Sequence, residues 1–119
     1  MNATSTLIIS LLVAMTIINP VMAADAEVAL DGRGLAFDKN KGNCLACHAI
    51  PNDPKAVSPG DIGPALIGIK SRYPDRAKLR AQIWDATANN PKTSMPPFGR
   101  NKILTEAELD LVTDYIYGM

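Results

Sequence analysis

The sequence predicts an all-α domain made of short helices joined by long loops. Three segments space their apolar residues at helical intervals, and no stretch sustains the alternation of a strand. Between them lie connectors rich in Pro and Gly, "AIPNDPKAVSPGDIGPALIG" (49–68) and "NNPKTSMPPFG" (89–99). Loops of that length in so small a domain are expected to wrap around something.

The first helix is expected over 28–38, "VALDGRGLAFD", with Leu30, Gly34 and Phe37 recurring on one side. Its glycines lower helix propensity but let a second helix approach closely. The second is expected over 76–88, with Asp75 as N-cap after Pro74 and Leu79, Ile83 and Ala86 as the apolar stripe. The third, 106–117, carries the strongest signal. Thr105 caps it, Glu108 completes a capping box, and Leu109, Val112 and Ile116 form the buried stripe with Tyr115 beside them.

Ahead of these, Leu7 to Ile18 is an apolar run too short to span a bilayer comfortably, followed by Val21-Met22-Ala23, a small-residue cleavage pattern. Residues 1–23 therefore read as a secretory signal peptide, and 24–119 as the mature domain. "MNATST" has no basic residue, which is unusual for a leader and leaves an uncleaved membrane anchor as the alternative.

The first charged residue is Asp25, so all 12 basic and 12 acidic side chains fall in the mature part, which is formally neutral. A nucleic-acid binder would need a net positive surface. The charges are segregated: "KSRYPDRAKLR" (70–80) is basic, and Glu106, Glu108, Asp110 and Asp114 make the last segment acidic. Two solvated helix faces account for this more simply than a docking patch. A mature chain of fewer than a hundred residues, poor in aromatics, is marginal for a self-sufficient core.

The chemistry is concentrated in "GNCLACHAIP" (42–51), which holds both cysteines and the single histidine. A disulfide between Cys44 and Cys47 would close almost no loop and stabilise little. A thioredoxin-type dithiol needs a βαβ setting that is absent from the pattern. A structural zinc site needs four ligands, and Cys44, Cys47 and His48 supply three at most. Covalent haem attachment through C-x-x-C-H satisfies the spacing best. Cys44 and Cys47 reach two vinyl groups on one porphyrin edge, and His48 places an imidazole nitrogen on the iron. One such motif implies one haem c per chain, filling the core that the short chain lacks.

The sixth iron ligand follows by elimination. No second histidine exists and both thiols are consumed, which leaves methionine, lysine, tyrosine or an open site; the mature chain has two methionines, Met95 and the terminal Met119. Met95 stands before Pro96 and Pro97, which restrict the backbone around it. A loop methionine packed in the core is the plainer alternative. With His48 and Met95 both bound, the iron has no vacant position and suits outer-sphere electron transfer. A haem sensor or peroxidase would instead need a labile or absent Met95. For orientation of His48, the carbonyl of Pro64 in "GPAL" is a good acceptor. Trp84, Tyr73 and Arg72 are candidates for contact with the haem propionates, with Trp84 equally suited to ordinary core packing.

The order C-x-x-C-H, then G-P-x-L, then a methionine loop and a C-terminal amphipathic helix resembles class I cytochrome c. The segment 72–117, with "MPPFGRNKILTEAE" its most specific part, resembles the SoxX family, monohaem subunits of the sulfur-oxidising Sox system. That resemblance implies a heterodimer with a SoxA-type c cytochrome, together an L-cysteine S-thiosulfotransferase (SoxAX) in the periplasm. The pair would conjugate thiosulfate to a cysteine of the carrier SoxYZ and pass two electrons to an acceptor cytochrome c. This chain, with no free thiol, would be the electron relay and not the site of bond-making, so no catalytic residue is assigned to it. A free periplasmic shuttle is the alternative. A stable subunit should carry an apolar patch at the haem edge, for which Pro97 and Phe98 are the candidates.

Overall fold

A computed structural model describes residues 30–119. The expected signal peptide lies outside the described residues. Four α-helices are present: α1 (Gly32–Phe37), α2 (Ile69–Arg72), α3 (Arg76–Trp84) and α4 (Glu106–Tyr117). Single 3-10 turns occupy Cys44–Ala46 and Ala86–Ala88, and no strand occurs among the described residues. None of these helices is long and apolar enough to cross a membrane.

Helix α4 organises the domain, because α1, α2 and α3 all pack on it. Its start is fixed by the expected capping box. The Glu108 amide donates to Thr105 Oγ1 at 3.2 Å, and the Thr105 amide donates to Glu108 Oε2 at 2.8 Å. Two backbone amides at the helix start, which no intrahelical carbonyl can reach, are thereby each given an acceptor. Leu109, Val112 and Ile116 are buried as their spacing predicts.

Helix α1 is shorter than expected and buries a different face. Asp31 caps it by accepting from the Gly34 amide at 2.7 Å, so the helix begins at Gly32 and Leu30 stays outside, 40% exposed. The buried residues are Gly32, Leu35 and Ala36 rather than the stripe Leu30, Gly34, Phe37. Gly32 lies directly against the Leu111 carbonyl of α4, where a Cβ would collide. The close approach expected of these glycines is thus made at one of them. Phe37 is half-buried and meets the Tyr115 ring edge-on, with centroids 6.2 Å apart.

Helix α3 starts where Asp75 accepts from the Ala77 amide at 2.8 Å, and buries Leu79 and Ile83. It ends at Trp84, four residues before the expected boundary. Asp85 turns its carboxylate onto the Thr87 amide and so opens a separate 3-10 turn that carries the buried Ala86. Helix α2 was not expected; it follows the left-handed Gly68 (φ 61°) and buries Ile69 alone.

The segregated charges meet each other. Arg76 of α3 pairs with Asp114 and Asp110 of α4, and Arg80 pairs with Asp110 at 2.7 Å and Glu106 at 2.6 Å. The acidic and basic segments form one inter-helix ladder, neither two independent faces nor, for these two arginines, an unoccupied patch. On the other side of α4, Asp53 is buried between Arg33 Nε at 2.9 Å and the Tyr115 hydroxyl, which donates at 2.7 Å.

Candidate haem site

The C-x-x-C-H segment is held from both sides. Toward α1, the Gly42 amide donates to the Leu35 carbonyl at 2.9 Å and the Asn43 amide to the Asp38 carbonyl at 3.0 Å. Asn43 then enters the left-handed region (φ 47°), which asparagine tolerates better than most residues, and the chain tightens into the turn Cys44–Ala46. The amides of Cys47 and His48 both donate to the Cys44 carbonyl, at 3.1 and 2.9 Å. Across from it, loop 57–66 pairs with the segment through Gly60 N–H to Leu45 O (2.8 Å), Gly63 N–H to Cys47 O and Leu66 N–H to Ala49 O (both 2.7 Å).

That pairing brings Gly63 and Pro64 under the histidine. His48 Nδ1 lies 2.6 Å from the Pro64 carbonyl oxygen. A carbonyl only accepts, so Nδ1 carries the proton and Nε2 keeps its lone pair for a metal. Gly63 lies so close to the imidazole that a Cβ there would overlap the ring. The expected acceptor, Pro64, is the one found.

Beside this segment is a cavity of about 540 Å³, a volume within the usual range for a ligand or cofactor pocket. Cys44, Cys47 and His48 line it from one loop, and Met95 lines it from another. Ile69, Leu79, Ile83, Phe98, Val112 and Ile116 belong both to its wall and to the hydrophobic core. The core is therefore built around the cavity instead of being closed on itself. Met95 is half-buried, and its amide donates to Thr93 Oγ1 at 3.1 Å in a local turn.

The alternatives for the cysteines find little support in this geometry. Both are free of disulfide bonds. Burial pushes the Cys44 thiol up to about 11, whereas a redox dithiol needs an accessible thiolate near neutral pH. Among the described residues no group of three His, Cys, Asp or Glu side chains converges as a metal cage would require. What does fit is a porphyrin bearing two thioether bonds: free adjacent thiols, an imidazole with its outer nitrogen already bonded, a glycine leaving room for that ring, and a methionine lining the same apolar cavity.

Of the other candidates, Arg72 and Tyr73 line the cavity. The Arg72 guanidinium donates to the carbonyls of Ala65 (2.8 Å) and Ile67 (3.2 Å). Trp84 is placed elsewhere: it is absent from the cavity wall, lines a separate hollow with Arg80 and Asp85, and donates its indole N–H to Glu106 at 3.2 Å. Phe98, a candidate for an exposed apolar patch, is only 7% exposed and belongs to the core. The large hydrophobic side chain exposed on the cavity lining is Ile62, at 72%. Sequence reasoning did not single it out, since nothing in "GDIGPA" distinguishes a rim isoleucine from a buried one.

Comparison with known proteins agrees with this geometry. The family described as "Cytochrome C oxidase, cbb3-type, subunit III" matches residues 32–116. A curated protein of Aquifex aeolicus (strain VF5), called an uncharacterized lipoprotein, is 32% identical over 77 residues, which are 65% of this chain and 36% of that protein. The chain thus spans about a third of that relative's length.

Proposed function

The chain belongs to the cbb3-type subunit III family of c-type cytochrome domains, an electron-transfer family with covalently bound haem c, and from that premise we propose that it is the electron-relay subunit of a SoxAX-type complex. In this reading the chain would hold one haem, through thioether bonds from Cys44 and Cys47, with the His48 imidazole and the Met95 sulfur as the groups that would bind its iron. The observation that carries the haem ligation is that Met95 and the C-x-x-C-H residues, from loops far apart in sequence, line the same apolar cavity. The single histidine supports a single haem.

When bound, the haem supplies a one-electron iron couple. The residues of the chain hold it, keep its ligands and shield it from water. The Sox assignment rests on the resemblance of residues 72–117, above all "MPPFGRNKILTEAE". In that setting a carrier cysteine and thiosulfate give a cysteine S-thiosulfonate, one proton and two electrons. With both cysteines committed to haem, this chain has no thiol to hold the sulfur intermediate. Bond-making would belong to a SoxA-type partner, and this chain's part would be to hold a one-electron group between that partner and an acceptor cytochrome c. The setting is the periplasm, reached through the leader read over 1–23.

Gentle purification from the native periplasm tests the assignment. A stoichiometric second c-type cytochrome, with thiosulfate conjugation to a carrier cysteine by the pair, is the expected result. Recovery as a lone monomer at low salt, with no partner, would support a free shuttle instead.

A further inference from the structure

The Met95 loop is closed at its base by contacts that the haem reading does not use. Residues 86–99 leave α3 at Asp85 and return beside it at Arg100. Asp85 is 12% exposed at the side chain; its Oδ1 accepts from the Thr87 amide at 3.0 Å and its Oδ2 from Arg100 Nη1 at 2.7 Å. The same Arg100 nitrogen donates to Thr87 Oγ1 at 3.0 Å. The amides of Gly99 and Arg100 both donate to the Trp84 carbonyl, at 3.1 and 3.2 Å. Gly99 also lies against the Trp84 indole so closely that no Cβ would fit. Both ends of the loop thus converge on the pair Trp84–Asp85, which gives Trp84 a task other than contact with the porphyrin.

We propose that Asp85 and Arg100 form a clasp, acting as positioning residues that keep Met95 on the iron. The inference rests on the reading of Met95 as axial ligand. Within the loop, the Met95 amide donates to Thr93 Oγ1, and prolines follow it in sequence. Met95 also packs against the hydrophobic core, and Asn89 ties the loop to Gln82 of α3; the clasp adds to these by fixing where the loop begins and ends. A compact loop with joined ends costs less entropy to hold in one arrangement than the same residues with a free end. Opening the clasp enlarges the set of loop conformations in which the sulfur is away from the iron. The apparent affinity for a competing ligand scales with the population of that open state.

The test is titration of the ferric holoprotein with imidazole, read in every variant as the shift of the Soret absorption band and, where Met95 is kept, also as loss of the methionine–iron charge-transfer band. Arg100→Ala and Asp85→Asn should each bind imidazole at least tenfold more tightly than wild type, and the double variant little more than either alone. Arg100→Lys should recover part of the wild-type resistance. Arg76→Ala, which breaks a comparable ion pair between α3 and α4, should leave imidazole binding unchanged. If both clasp variants stay within twofold of wild type while Met95→Ala binds far more tightly, the clasp is refuted and the ligand assignment stands. An equal gain in Arg76→Ala would trace the effect to general loosening and also refute the clasp. Wild type binding as tightly as Met95→Ala would remove the ligand assignment and the clasp with it.

Discussion

His48 and Pro64 are coupled through a 2.6 Å contact between the imidazole Nδ1 and the proline carbonyl oxygen. The acceptor belongs to a residue that has no amide of its own, so the backbone here offers a lone pair and nothing that competes for it. The neighbouring Gly63 admits the ring. Position and tautomer of the imidazole are thus set by two consecutive residues of a loop otherwise lacking regular structure.

Gly63→Ala tests that arrangement. The added methyl overlaps the imidazole, and overpacking of this kind costs about 1–3 kcal/mol. Relief comes by rotating His48 away from the Pro64 carbonyl or by shifting the loop. The expected outcome is a lower yield of haem-loaded protein on expression and a lower melting temperature of what is recovered. A variant with wild-type haem content and stability would mean that the contact does not orient the ligand.

Met95→Ala should leave the thioether attachment intact and open one side of the iron. The reduced variant should then bind carbon monoxide rapidly at neutral pH, where wild type does not, and its midpoint potential should fall. An unchanged visible spectrum and potential would exclude Met95 as a ligand.

The extent to which all this could be read in advance differs element by element. Helix α4 was legible in full because its start signal and its apolar period are both local. The boundaries of α1 and α3 were not, since Asp31 and Asp85 decide them with their side chains, and an aspartate near a helix end has more than one use. Helix α2, with one buried residue, carries no period. The His48–Pro64 contact was legible because a proline offers a carbonyl with no amide of its own, and the grouping of Cys44, Cys47 and His48 because their spacing is local. The contacts of Asp53 with Arg33 and Tyr115 span 20 and 62 residues, and no local pattern announces them. Trp84 marks the limit: an aromatic on α3 suits either a cofactor or the core, and only the fold shows that it faces Arg80, Asp85 and Glu106 away from the cavity.

The Asp53 cluster predicts the acid limb of stability. Asp53 is held below the ordinary carboxylate range, chiefly by the Lys55 amide and the Tyr115 hydroxyl, with Arg33 adding to the effect. A depressed native pKa means that the unfolded chain binds the proton more readily. The contribution is therefore present above the unfolded value, near 4, and is lost as pH falls through the native one. Thermal melts should change little between about pH 5 and 7 and drop steeply below about pH 4. Asp53→Asn should lower stability at pH 7 and flatten that drop. A drop as steep as in wild type would assign the acid limb to other groups; Asp85, Glu106, Glu108 and Asp110 are depressed in the same direction.

The ladder between α3 and α4 yields a prediction about what the basic segment is for. Arg76 and Arg80 have their charges matched by Asp114, Asp110 and Glu106, and their guanidinium groups are held more firmly protonated by those hydrogen bonds. Pairs this exposed contribute little individually, because water screens them and ordering two long side chains costs entropy. Arg80→Ala, which breaks two contacts, should lower the melting temperature by a few degrees at low salt. That difference should shrink in 1 M salt, where the screening length is about 3 Å. If the segment were instead a docking patch, Arg80→Ala would leave the melting temperature alone and weaken association with the partner. Measuring both quantities on the same variant separates the two roles, and the paired geometry predicts a change in the first with none in the second.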